Sequence, residues 1–195
     1  MSDQIKIKSN YEFFPLTKTN WNDFVKLFGN NGACAGCWCM YWRARRKIYN
    51  QNKGAGNKKA LKKIVDKKQT TGIIAYYKNE PIGWCSVAPR EDFIVLDNSR
   101  ILKRIDDKPV WSVVCFFIRK DFRGNGVSTE LLKALKVFVK QHGGKIIEGY
   151  PIEPKKGKMP DAFAWVGLSK AFLKAGFKEI IRRSETRPIM RYSIN

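Results

Sequence analysis

The chain has 195 residues, 44% of them hydrophobic and 13% aromatic. That is enough apolar surface for one packed core without disulfide or metal staples, and too much for a disordered chain. Its 38 Lys and Arg against 17 Asp and Glu give a formal net charge of +21, a balance that attracts polyanions such as nucleic acid, acidic membrane or the phosphates of a cofactor. The basic residues are spread along the chain, with local clusters at Lys58–Lys68 and Lys155–Lys158, which reads as a solvated basic surface.

No apolar run approaches the roughly 20 residues that span a bilayer, and the opening MSDQIKIKSN lacks the apolar stretch of a secretory leader. A single cytoplasmic domain with no membrane partner is the expectation. The five cysteines, Cys34, Cys37, Cys39, Cys85 and Cys115, are odd in number and argue against a disulfide framework.

In chain order, YEFFPLT at 11–17 suits a short strand. Thr19 is placed to cap a helix over about 20–28, where Trp21, Phe24, Val25 and Phe28 share one face. Gly29-Asn30-Asn31-Gly32 ends it, and the Cys/Trp block CAGCWCMYWRAR follows, then a polar stretch with Gly54 and Gly56. Residues 58–68 predict a helix with Leu61, Ile64 and Val65 inward. A hairpin is predicted from a strand at 72–77, a turn at Lys78-Asn79-Glu80-Pro81 and a return strand at 82–88. Short helical turns are expected within 90–107. The nearly continuous apolar run VWSVVCFFI at 110–118 predicts a central strand buried on both faces.

Next comes the turn RKDFRGNGVS and an amphipathic helix over about 126–141, closed by Gly143-Gly144. A strand at 145–150, a helical stretch at 162–174 interrupted near Gly167, and closing strands at 177–183 and 189–194 complete the pattern. Pro188 fits a strand's start or edge. The expected fold class is a mixed α/β (α+β) domain.

The segment Arg123-Gly124-Asn125-Gly126-Val127-Ser128 lies between the most buried strand and that helix. Its glycines permit torsions other residues resist, and the first helical N–H groups lack internal partners and carry the positive end of the dipole. This combination suits a phosphate or pyrophosphate, with Arg123 adding charge and Ser128 or Thr129 a hydroxyl. The glycines alone are equally those of an ordinary strand–helix connection. A P-loop is disfavoured because no Gly-Lys-Ser/Thr triplet closes the motif, and the dinucleotide fingerprint would need glycine at Ser128 and Leu131.

With the preceding Phe116-Phe117-Ile118-Arg119-Lys120-Asp121-Phe122 and the downstream Ala171-Phe172-Leu173-Lys174-Ala175-Gly176-Phe177, this segment resembles the GNAT acetyltransferases. Their signature is Arg/Gln-x-x-Gly-x-Gly/Ala between the fourth strand and the next helix. The resemblance spans about 70–180, and Ser128 stands where the family usually has Gly or Ala. The Cys/Trp block is similar to one in bacterial members of unassigned substrate. The resemblance implies a mixed, mostly antiparallel sheet flanked by helices, in one domain over 1–195 whose first 70 residues form the acceptor side. It also implies an acetyl-CoA-dependent N-acetyltransferase in which a primary amine, on a small molecule or a protein, attacks directly within a ternary complex.

The same resemblance assigns the pyrophosphate of CoA to Arg123, Gly124, Asn125, Gly126, Val127, Ser128 and Thr129, and the pantetheine arm to the backbone of Phe117 and Ile118. Trp38, Tyr41 and Trp42 become an aromatic wall for the acceptor. Glu148, on the strand after the cofactor helix, is the candidate general base, against its reading as a strand glutamate paired to Lys or Arg. The family's late tyrosine, a general acid, is replaced by Phe172, leaving Tyr150 or water. Cys115, mid-strand, reads as inert core, and His142 as a helix cap. No metal is expected at Cys34, Cys37 and Cys39, since no histidine is nearby to complete four ligands. The competing readings are a basic nucleic-acid- or ribosome-binding module, the less favoured because no basic stripe with interleaved aromatics is present, and a GNAT protein that binds CoA without catalysis. Acceptor identity and oligomeric state, homodimer included, stay open.

Overall fold

Seven strands form one sheet in the order β1-β2-β3-β4-β5-β7-β6, seen in a computed structural model that describes residues 4–155 and 161–194. Lys156 and Lys158 of the second basic cluster lie outside the described residues. The strands are β1 (Glu12–Pro15), β2 (Gly72–Tyr77), β3 (Glu80–Pro89), β4 (Trp111–Ile118), β5 (Ile146–Gly149), β6 (Lys178–Arg182) and β7 (Pro188–Ser193). All neighbours are antiparallel except β4 and β5. A parallel pair needs a crossover, and it is the helix α4 (Val127–Gln141) that supplies it. The mixed, mostly antiparallel sheet is thus the fold class expected from the sequence.

Alternation along the strands divides the core. On β2, Ile73 and Ala75 face a cluster built on α4, whereas Ile74 and Tyr76 face a second cluster. The α4 side holds Leu131, Leu132, Leu135, Phe138 and Val139, with Phe172 from α5 (Ser169–Lys174). The other side holds the helices α1 (Trp21–Phe28) and α3 (Ala55–Asp66), the Cys/Trp block, and Phe93, Leu96 and Leu102. The run at 110–118 is central because both layers press on it. Val113 and Phe116 belong to one cluster, Val114 and Cys115 to the other.

The hairpin β2–β3 turns through Lys78 and Asn79, both left-handed at φ +51° and +64°, the torsions of a tight hairpin matched to strand twist. The helical stretch near 162–174 is interrupted as expected: a 3₁₀ turn runs over Asp161–Val166, Gly167 takes φ +86°, and α5 follows. Two expectations are corrected. Thr19 does not cap α1; Asn20 holds that position, and its Oδ1 instead accepts the Thr17 N–H at 2.8 Å while its Nδ2 donates to the Pro15 carbonyl at 2.9 Å. A short helix α2 (Arg46–Gln51) fills part of the polar stretch. It buries only Tyr49, so it has too little apolar periodicity to be read from sequence.

Candidate active site

Strands β4 and β5 pair only over Trp111–Val113 and Ile147–Gly149, and beyond Val113 they diverge. The Arg119 N–H bonds to Ile82 O on β3 at 2.9 Å. Alternation therefore turns the main-chain groups of Ile118 and Phe116 toward the divergent edge, and the Ile118 carbonyl there accepts Arg123 Nε at 3.0 Å. The strand ends in a 3₁₀ turn over Lys120–Phe122 and the Arg123–Gly126 loop.

In that loop Gly124 and Gly126 take φ +81° and +78°. A Cβ added to either would meet no atom within 4 Å, so the space before the turn is open. The Gly126 carbonyl takes the N–H groups of Thr129 and Glu130. The amides of Gly124, Asn125, Gly126, Val127 and Ser128 have no main-chain partner among the described residues. Open space, unpaired amides and a helix N-terminus fit the diphosphate that the resemblance implies.

A cleft of about 420 Å³ runs from this turn along the divergent edge, lined by Arg123, Gly124, Ser128, Phe117, Ile118 and, opposite, Trp165 and Leu168. It leads to an inner pocket of about 200 Å³, whose walls include Tyr41, Trp42, Tyr49, Trp165 and the thiols of Cys34, Cys37, Cys39 and Cys115. Cys34, Phe116, Phe117 and Trp165 line both. The floor is tight: Cys39 Sγ lies 3.6 Å from Cys115 Sγ and accepts Trp84 Nε1 at 3.0 Å. The loop that carries these thiols has four non-glycine residues in the left-handed region, Ala33, Ala35, Trp38 and Cys39 at φ +68°, +48°, +42° and +56°. Backbone strain of this kind survives where surrounding packing enforces it, commonly at binding sites.

Of the acceptor wall expected from sequence, Tyr41 and Trp42 line the inner pocket. Trp38 does not; it is buried against Phe24 and Phe28 and belongs to the core. Sequence reading missed Tyr49, Trp165 and the main chain of Phe116. Trp165, two residues before the glycine that interrupts the late helix, was the one available signal.

Glu148 requires correction. It is 1% exposed and lines neither cleft. Its Oε1 accepts Arg90 Nη1 at 3.3 Å and the Tyr150 hydroxyl at 2.7 Å, and its Oε2 accepts Arg191 Nε at 2.7 Å. A carboxylate held by two guanidinium groups has no lone pair directed at an amine, so its geometry is that of a buried ion-pair partner rather than a general base. Tyr150 is locked in the same network, within hydrogen-bond reach of Ser112 Oγ at 2.8 Å and accepting from Arg90 at 2.6 Å. Burial first, and then the Glu148 charge, push its hydroxyl above the usual tyrosine range. It does not reach the clefts as an acid.

Phe172 is fully buried between Phe116 and Phe177. Cys115 is buried, and its thiol forms part of the inner-pocket wall. Burial raises the Cys39 thiol, and hydrogen bonding to Cys39 together with burial raises that of Cys37, which keeps both protonated and poorly nucleophilic. His142 caps α4, with Nδ1 2.8 Å from the Phe138 carbonyl. No helix among the described residues is long and apolar enough to cross a membrane.

The fold has many solved relatives. An insect arylalkylamine N-acetyltransferase 7, described as putative, from Aedes aegypti superposes with a TM-score of 0.59 at 12% identity, covering 95% of this chain and 88% of that one. A ribosomal-protein-S5-alanine acetyltransferase from Vibrio fischeri gives 0.56 at 13%, covering 99% and 97%. The enzyme AAC(6')-Ib, solved with paromomycin and acetyl-CoA, gives 0.55 at 14%, covering 95% and 94%. At these identities the likeness shows the fold alone. No curated protein matches. The sequence profile of the acetyltransferase (GNAT) family matches residues 37–150, more than half of the chain. This protein belongs to the GNAT acetyltransferase family.

Proposed function

We propose that the protein is an acetyl-CoA-dependent N-acetyltransferase that transfers the acetyl group to a primary amine by direct attack in a ternary complex. The observation that supports this best is the open Gly124–Ser128 turn, whose amides have no main-chain partner among the described residues, at the head of a cleft that continues into the inner pocket. When bound, acetyl-CoA supplies an activated acetyl thioester. The amides of residues 124–128 and the Arg123 side chain hold its diphosphate, with Thr129 at the edge of that contact. On the divergent edge of β4 the main-chain groups of Phe116 and Ile118 orient the pantetheine arm, while those of Phe117, also expected from sequence to do so, face β3; an amide of that edge serves as the oxyanion donor. Phe117 and Trp165 exclude water where the two clefts meet. The amine enters the inner pocket and its proton leaves through water, since no lining residue there carries a carboxylate among the described residues. The solved relatives that act on amines or bind acetyl-CoA agree with this reading.

The test is a thermal-shift titration. Acetyl-CoA at 100 times its Kd is expected to stabilise the wild type by about 2.7 kcal/mol. Gly126→Asp, which sets a carboxylate where the diphosphate binds, removes the shift. Absence of any shift in the wild type at millimolar acetyl-CoA defeats the proposal.

A further inference from the structure

We infer that the inner pocket takes a single-ring aromatic amine that is uncharged at neutral pH, an arylamine rather than an alkylammonium ion. This rests on the acetyltransferase reading and names the acceptor of that same site.

Size comes first. The pocket measures about 200 Å³, and an apolar cavity of roughly 150 Å³ is enough to bind benzene. One substituted ring fills most of that volume. The walls suit a ring as well. Tyr41 stands edge-on to Trp42, Tyr49 and Trp165, with centroids at 5.0, 5.5 and 5.3 Å and interplanar angles of 85°, 83° and 73°. Such walls offer edges and faces for the T-shaped and offset contacts aromatic groups prefer.

Charge decides the rest. The titratable side chains on the wall are the thiols of Cys34, Cys37, Cys39 and Cys115 and the phenols of Tyr41 and Tyr49. Burial raises Tyr49 to about 12, and the Cys37 and Cys39 thiols are raised too, so Tyr49, Cys37 and Cys39 stay neutral. The charges around the wall are cations. The Arg46 guanidinium sits 5.4 Å over the Tyr41 ring, and the Arg187 guanidinium lies within electrostatic reach of the Tyr41 hydroxyl. Glu148 is already paired with Arg90 and Arg191. An ammonium ion entering here sheds part of its water, finds no carboxylate among the described lining residues and meets two guanidinium groups.

An aniline nitrogen escapes this penalty. Its conjugate acid ionises in the carboxylic-acid range, so it is neutral and nucleophilic at pH 7 without a base. It forms the new C–N bond as the thioester C–S bond breaks, and its proton passes through water to the departing sulfur. The products are an N-aryl acetamide and CoA thiol. A pocket whose described lining residues carry no carboxylate is matched to an acceptor that needs no base.

The experiment titrates the full, cofactor-free chain with 4-methoxyaniline, benzylamine and 6-aminoquinoline at pH 7.5, following the fluorescence of Trp42 and Trp165. The expected Kd for 4-methoxyaniline is at least tenfold below those of the other two. Cys37→Asp, which adds a carboxylate to the wall, narrows or inverts the preference over benzylamine. With acetyl-CoA present, kcat/KM for 4-methoxyaniline stays within twofold between pH 6 and 7.5, whereas that for benzylamine rises about tenfold per unit. Equal or tighter binding of benzylamine or 6-aminoquinoline overturns the inference. If acetyl-CoA still stabilises the protein in that case, the acetyltransferase reading stands without it. Arylamine binding in a protein that acetyl-CoA does not stabilise overturns the acceptor role itself.

Discussion

Arg191 Nε donates to Glu148 Oε2 at 2.7 Å, and the register of β7 against β5 sets these two residues directly opposite each other. The pair extends on both sides. Arg191 also holds Asp106 through Nη1 at 2.7 Å and Nη2 at 2.9 Å. Arg90, 1% exposed, joins Glu148 to Asp97 at 2.9 Å and to the Leu102 carbonyl at 3.0 Å. The network thereby pins the 93–106 segment, whose Val95 N–H bonds to the Trp42 carbonyl at 3.2 Å. A buried carboxylate thus supports the pocket from behind.

Replacing Glu148 with Gln leaves two guanidinium groups facing a neutral amide in the interior. Breaking a buried pair in this way costs about 3–5 kcal/mol, and Tm is expected to fall by about 6–20 °C in a domain of this size. Denaturant melts measure the loss. At a temperature well below the new Tm, the slope of log kcat against pH is unchanged. A slope that flattens in the variant would restore Glu148 as a base.

The Arg191 guanidinium lowers the Asp106 carboxyl to about 2, chiefly through their hydrogen bonds. A depressed folded value means the stabilisation is fully present above the ordinary aspartate range near 3.9 and is lost as pH falls through about 2. Asp106→Asn is therefore expected to destabilise at pH 7 by about 1 kcal/mol, a figure reduced for a carboxylate with one third of its side chain exposed. The difference from wild type should shrink below pH 4 and vanish near pH 2. Paired urea titrations across that range test it, and a difference that persists at pH 2 refutes the assignment.

Phe172→Tyr restores the residue type usual in the family. The ring is fully buried against Phe116, Phe177 and Gly149 and lines neither cleft. A buried unpaired hydroxyl costs about 1–3 kcal/mol, so the variant is expected to melt lower, with no gain in kcat in thiol-release assays. A rise in kcat would show that the hydroxyl reaches the clefts.

The same ring explains Gly149. A Cβ there would lie 2.1 Å from Phe172 Cε1. Gly149→Ala is expected to destabilise by about 1–3 kcal/mol through overpacking, and Phe172→Leu in the same chain to recover part of that loss. A double-mutant cycle with zero coupling energy would contradict the contact.

The sequence by itself determined what depends on neighbours along the chain. The apolar run at 110–118, the left-handed glycines at 124 and 126 and the 3.6-residue repeat of α4 are local constraints, and they located the strand, the turn and the helix beside the outer cleft. What only the tertiary structure decided involves partners remote in sequence. Glu148 looked free to act as a base until β7 placed Arg191 opposite it and the loop after β3 delivered Arg90, partners 43 and 58 residues away. Cys39 and Cys115, 76 positions apart, meet on one pocket wall, and Trp38 turns into the core while Tyr41 and Trp42 face the cavity. Periodicity reports which residues are buried; the charge or thiol each one is buried against is set by packing between elements, which no local pattern encodes.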